Sequence, residues 1–238
     1  MSIAMPSEIT DSPAAIATSE REATAAAEPR GRRGMDLFLD LFERFLVAGF
    51  FCWLVGRLVA DYLIQGNPRS LLAIPSEGLV VVFIVIRRFS HTVSHRPTEW
   101  LIALTVTCVP FLVDPPSDQA ALPMALVTFC ALVWLIGFIV QLHAKLSLGR
   151  SLGCVPAHRG LRLQGPYRFV RHPMYAGYLL THVAILSLNS SLWNLGVYCV
   201  CYALLVPRIL MEERLLSEDP CYREYQAKVR SRLIPGVF

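Results

Sequence analysis

Charge is scarce in this chain. Asp, Glu, Lys and Arg make up 17% of its 238 residues, against roughly 25% in soluble globular domains. With a mean hydropathy of +0.48, that scarcity argues against an ordinary soluble domain and puts an integral membrane protein first. The net charge is only +4. Its basic residues stand at the ends of apolar runs, which suits membrane topology and speaks against nucleic-acid binding. No C-x-x-C pair occurs among Cys52, Cys108, Cys130, Cys154, Cys199, Cys201 and Cys221. Most of them lie inside apolar runs, where cysteine behaves as a small hydrophobe. His and Cys do not cluster at zinc-ligand spacing either, so neither disulfides nor a metal is expected. A P-loop and a G-x-G-x-x-G are both lacking. No Ser, His and Asp set stands at a recognisable position for nucleophilic catalysis.

Residues 1–34 lack apolar bulk and are dominated by Ala, Ser, Thr, Glu and Pro. Such a segment cannot offset its ordering entropy and reads as a disordered tail. It is not a secretory signal, because no apolar core follows a short basic start. Residues 35–144 then read as N-terminal transmembrane helices, and 145–238 as a C-terminal region with its own chemistry. Six apolar stretches are candidate spans, since roughly 20 apolar residues cross the hydrocarbon core; they lie near 43–64, 70–87, 99–114, 120–142, 174–190 and 192–211. The fold expected is therefore an all-α polytopic integral membrane protein with five to six transmembrane helices and a cytoplasmic C-terminal cofactor pocket. In the first span, Arg57 and Asp61 are spaced for an internal pair. In the second, Pro75-Ser76-Glu77-Gly78 predicts a short, tilted or broken helix. Basic loops alternate with neutral or acidic ones, so the positive-inside rule places both termini in the cytoplasm.

The densest chemistry is Gly165-Pro166-Tyr167-Arg168-Phe169-Val170-Arg171-His172-Pro173-Met174-Tyr175-Ala176-Gly177. Two arginines, a histidine and two tyrosines at the start of an apolar span are costly there unless they contact something polar. Pro173 suits the first turn of the fifth span. The sixth span leads into Val206-Pro207-Arg208-Ile209-Leu210-Met211-Glu212-Glu213, with Pro207 as an expected kink. Arg208 and Glu212 stand one above the other on that helix. A short turn between spans five and six returns this end towards His172 and Tyr175. The loop Ser151–Gly160 reads either as a topology loop or as part of a ligand site. Glu213 reads as a solvated helix residue, or as a base if the acceptor is an amine. His91, His95, His143 and His182 read as boundary or packing residues. Tyr222, Tyr225, Val229 and Leu233 have the spacing of an amphipathic helix.

In order, G-P-Y-R-x-V-R-H-P-x-Y-x-G, R-x-x-x-E-E, Y-x-x-Y and R-x-x-P-G resemble the isoprenylcysteine carboxyl methyltransferase family, which is close to the membrane phospholipid methyltransferases. The resemblance covers about 145–238. It implies S-adenosyl-L-methionine as cofactor and a lipid-like or amphiphilic acceptor entering from the bilayer among the membrane lipids. By motif position it implies cofactor binding by Tyr167, His172, Pro173, Met174, Tyr175 and Glu212. It extends this, with a departure from the His-x-Leu-Val form, to Arg159, Gly160, Leu161 and Arg162. Arg208 falls where the family places the arginine that contacts the acceptor carboxylate, and so carries both the catalytic and the substrate-binding role. A membrane sterol-type reductase using NADPH shares part of the signature, and a non-catalytic membrane binding or scaffold protein is the third reading.

Overall fold

Apolar runs of this length can satisfy their backbone polar groups inside a bilayer only as helices or closed barrels, and this chain uses helices. The computed structural model describes residues 30–66, 68–90, 93–114, 122–157, 159 and 161–237. Its helices are α1 (Arg30–Gln65), α2 (Pro68–Ile86), α3 (Pro97–Cys108), α4 (Met124–Leu148), α5 (Pro173–Leu188), α6 (Leu192–Leu216) and α7 (Pro220–Lys228). A 3₁₀ segment, Val109–Leu112, extends α3. Gly34–Gln65, Met124–Ser151 and Leu192–Leu216 are long and apolar enough to cross a membrane, and Ser70–Ile86, Pro97–Leu112 and Pro173–Leu188 are shorter apolar helices. Their outer faces carry large apolar side chains, among them Phe45, Ile64, Met124 and Leu192, as a lipid-facing surface requires. The chain is an integral membrane protein by this build. Most of the expected tail, 1–29, lies outside the described residues; the first helix starts at Arg30, inside the boundary expected at 34.

Connections alternate between two ends of the bundle. At one end Trp193 Nε1 donates to Leu112 O at 2.8 Å, and buried Asn194 accepts from Asp114 N at 2.9 Å. Asp61 accepts from Ser70 there, while Arg57 lies over the Trp53 ring at 5.8 Å. At the other end Arg150 Nε donates to Ile86 O at 2.8 Å, and a lone bridge pairs Val93 with Ala157. The six apolar helices therefore run alternately up and down between these ends. Of the short, tilted or broken forms expected for the second span, the helix is short and unbroken: α2 runs through Pro75 and its apolar part is Ser70–Ile86. α6 is also one helix through Pro207.

α4 and α5 pack closest. A Cβ on Gly177 would lie 2.6 Å from Gln141 Cγ and 2.7 Å from Gly137 O, and one on Gly137 would meet Gly177 O at 2.8 Å. Small residues at such crossings let backbones approach where lipid offers no hydrophobic drive to associate. Gly177→Val should therefore cost about 3 kcal/mol and lower Tm in detergent by roughly 5–10 °C. Gly196→Ala on α6, where a Cβ meets open space, should leave Tm unchanged or slightly raised. Thermal unfolding of both variants checks the pair.

α5 and α6 meet at the turn that joins them and again where His172 and Tyr175 reach Glu213 and Glu212. A chamber lined by residues of α1–α6 lies in the bundle. The C-terminal segment is shorter as a helix than its spacing suggests. α7 stops at Lys228 with Val229 as its cap, so Val229 and Leu233 do not continue it. The reason is a second set of bonds: Arg171 N donates to Ser231 O at 3.0 Å and His172 N to Arg232 O at 2.8 Å. The chain leaves the helix in order to clamp the run at the start of α5.

Candidate functional site

Pro173 opens α5 at its first turn, where a missing N–H is no loss, and His172 precedes it in non-helical backbone. The clamp fixes this corner from outside. Tyr225 Oη donates to Tyr167 O at 2.6 Å. Burial pushes the Tyr225 phenol up to about 12, so it remains a donor at neutral pH. Burial also raises the Tyr167 phenol well above its usual range.

Glu213 is buried, not solvated. It is held by Arg171 Nε at 3.2 Å, His172 Nε2 at 3.1 Å and Arg232 Nε at 2.9 Å. It joins α6, the α5 start and the C-terminal clamp, and hydrogen bonds from His172 and Arg232 with the Arg171 charge beside it leave it poorly placed to take a proton from a substrate.

Arg208 and Glu212 do not pair. Arg208 NH2 donates to Cys154 O at 2.8 Å, and NH1 to Ala103 O at 3.2 Å and Thr107 Oγ1 at 3.3 Å. All three are neutral acceptors, and no carboxylate among the described residues forms an ion pair with this buried guanidinium; Glu212 acts on it only through its field. Glu212 is the mirror case: its hydrogen-bond partner is the neutral Tyr175 hydroxyl at 3.3 Å, and it forms no ion pair with a cation among the described residues. Tyr175 stands between the two charges. Its ring lies 5.6 Å below the Arg208 guanidinium, and the His172 ring stacks on its other neighbourhood with centroids 5.6 Å apart.

Two cavities meet here. The larger, about 830 Å³, lies inside the bundle and is lined by all six long helices, with Arg208 in its wall. The smaller, about 80 Å³, lies at the loop end and is lined by Tyr167, Arg171, His172 and Glu212. Gly153, Cys154, Met174 and Tyr175 line both. Arg159 also lines the smaller one, but its guanidinium is engaged by Glu43 and Asp40. Pro173 is buried behind the wall. Leu161 and Arg162 line neither cavity, and Gly160 lies outside the described residues, as do His91 and His158.

The loop that forms the shared wall is held by residues the sequence reading missed. Glu43 of α1 accepts from Cys154 N at 2.7 Å and Val155 N at 3.0 Å. It also pairs with Arg87 NH1 at 3.0 Å. Asp40, one turn earlier, pairs with Arg87 NH2 at 2.9 Å. Two acids at i and i+3 entering the first span were the signal available. His95 belongs to the same rim, facing Asp36.

Gly149-Arg150-Ser151-Leu152-Gly153 has the G-x-S-x-G form of a nucleophile elbow. Ser151 ends a 3₁₀ turn after a helix, not a strand, and its hydroxyl donates to Arg159 O at 3.0 Å. The context an elbow needs is missing. Among the described residues no group of three His, Cys, Asp or Glu could hold a metal.

No curated protein matches the chain. A solved structure of the eukaryotic intramembrane Ras methyltransferase ICMT is similar at 16% identity, over 93% of this chain and 91% of that one, with a TM-score of 0.45. The sequence match is local and falls on the site: residues 124–218, which carry α4, the shared-wall loop, α5 and α6, match the isoprenylcysteine carboxyl methyltransferase (ICMT) family.

Proposed function

We propose that the chain transfers a methyl group from S-adenosylmethionine, held in the smaller cavity, to the carboxylate of a lipophilic or amphiphilic acceptor lying in the larger one. One observation carries this reading. An arginine without an anion and a glutamate without a cation stand four residues apart on α6, in the walls of two cavities that meet at Tyr175. A buried charge without a counter-charge is costly; Arg208 is buried and Glu212 half-buried, and an anionic acceptor beside the first and a cationic donor beside the second would balance both.

At about 80 Å³ the smaller cavity holds only part of such a donor, and its lining suits the donor's charged end by its chemistry. Glu212 suits the donor's ammonium or sulfonium charge. Arg159 Nε is a buried donor with no hydrogen-bond partner among the described residues. Tyr167, His172 and Met174 complete the wall. When bound, S-adenosylmethionine supplies a methyl group already activated on a sulfonium. A carboxylate is ionised at neutral pH and requires no general base. It requires alignment, and the planar fork of Arg208 matches a carboxylate bidentately. Tyr175 spaces the two charges and keeps each on its own side.

Arg87, Arg150, Arg159, Arg168 and Arg171 all belong to the end of the bundle that holds the site. The positive-inside rule supports this as the cytoplasmic end, the end at which α1 begins and α7 lies. NADPH is the competing cofactor. In detergent, S-adenosylmethionine at about 100 times its Kd should stabilise the protein by about 2.7 kcal/mol, a Tm rise of roughly 5–10 °C, and NADPH should leave Tm unmoved. A rise with NADPH alone would overturn the reading. Labelled methyl transfer into a lipid extract would separate an enzyme from a scaffold.

A further inference from the structure

The larger cavity is not uniformly apolar. α5 presents Tyr175, Tyr178 and His182 to it at three- and four-residue spacing, a row about 10 Å long at 1.5 Å per residue. Beside Tyr178, fully buried Lys145 of α4 donates to Ser76 Oγ and to Glu77 Oε1, each at 2.9 Å. Deeper, His182 Nδ1 and the Tyr202 hydroxyl share a hydrogen bond of 3.0 Å. The His182 ring stacks on Tyr198 with centroids 4.7 Å apart. Tyr202 of α6 is six residues from Arg208, about 9 Å along that helix. Both helices thus set the deep polar group at the same distance from the Arg208 level.

The three deep residues line the cavity. His182 Nε2 and the Tyr198 hydroxyl have no hydrogen-bond partner among the described residues. A plain hydrocarbon tail would strip water from them and offer nothing in return, which is costly for any buried polar group. Ionisable and hydrogen-bonding side chains inside a membrane bundle mark a ligand path more often than packing. Resting on the acceptor reading above, we propose that the acceptor carries a second polar group, an oxygen or nitrogen function about 10 Å from its carboxylate, recognised by His182, Tyr198 and Tyr202. The substrate class is then a functionalised amphiphile and not a bare prenyl or alkyl chain.

The test is equilibrium binding to the purified full chain in detergent. The probes are dodecanoate and its analogue hydroxylated about 10 Å from the carboxylate. The hydroxylated probe should bind about tenfold or more tightly, since a site built to hydrogen-bond a hydroxyl discriminates against the analogue lacking it. His182→Phe and Tyr202→Phe should each remove that preference, and the second keeps the side-chain volume. Equal affinities in the native protein, or a preference that survives both variants, would overturn the inference. Arg208→Ala separates the two levels. If it weakens both probes while no preference exists, the acceptor reading stands and this inference falls. If it weakens neither, the acceptor reading falls as well.

Discussion

Arg208→Ala is expected to lower methyl transfer by about 10²–10³-fold while leaving donor affinity within about twofold, because losing one partner of a desolvated charge pair costs about 2–5 kcal/mol. Its guanidinium lines only the larger cavity, and its bonds to Cys154 O, Ala103 O and Thr107 hold the fork in place before any acceptor arrives. Such preorganisation makes Arg208→Lys a poor rescue. A lysine keeps the charge but loses the planar, two-pronged geometry. Single-turnover transfer to a defined carboxylate acceptor reads the effect. Unchanged transfer in Arg208→Ala would remove the assigned role.

Glu43→Ala is the second large effect, and it acts from outside both cavities. Glu43 holds the backbone N–H groups of Cys154 and Val155 and neutralises Arg87 and Arg159. Removing one member of a buried ionic set leaves charges uncompensated, at about 3–5 kcal/mol. A Tm drop of roughly 6–20 °C follows. Cys154 O is also the acceptor that fixes Arg208, so the residual folded enzyme should show a raised acceptor KM and an unchanged donor KM. A variant that loses stability but keeps both KM values would make Glu43 a structural residue only. Glu43→Gln should be milder on the loop, because the amide oxygen still accepts from Cys154 and Val155, and equally severe for Arg87 and Arg159.

The helical spans were legible because burying backbone in lipid demands long apolar runs, and α5 and α6 fall close to where their hydropathy, Pro173 and the Asn189-Ser190-Ser191 turn put them. The meeting of His172, Tyr175, Arg208 and Glu212 at one end follows from that hairpin. What the spacing left open was the relation between Arg208 and Glu212. Residues four apart on a helix can pair, yet here Tyr175 lies between them and each faces a different cavity. Asp40 and Glu43 stayed invisible because their partners, Arg87 and Arg159, are distant in sequence and read equally well as topology charges. Lys145 was hidden in the same way: its counter-ion Glu77 lies in a stretch that looked like a helix break. α7 ends early because the chain must turn to reach Arg171 and His172, a tertiary demand that local periodicity does not record.

The central claim is that the two unpaired charges of α6 serve two different ligands. Calorimetric titration of S-adenosylmethionine into Glu212→Ala and Arg208→Ala, side by side, tests it most directly. Donor binding should weaken at least about tenfold in the first, by about 1.4 kcal/mol, and hold in the second. Intact binding in Glu212→Ala, or a loss confined to Arg208→Ala, would contradict it.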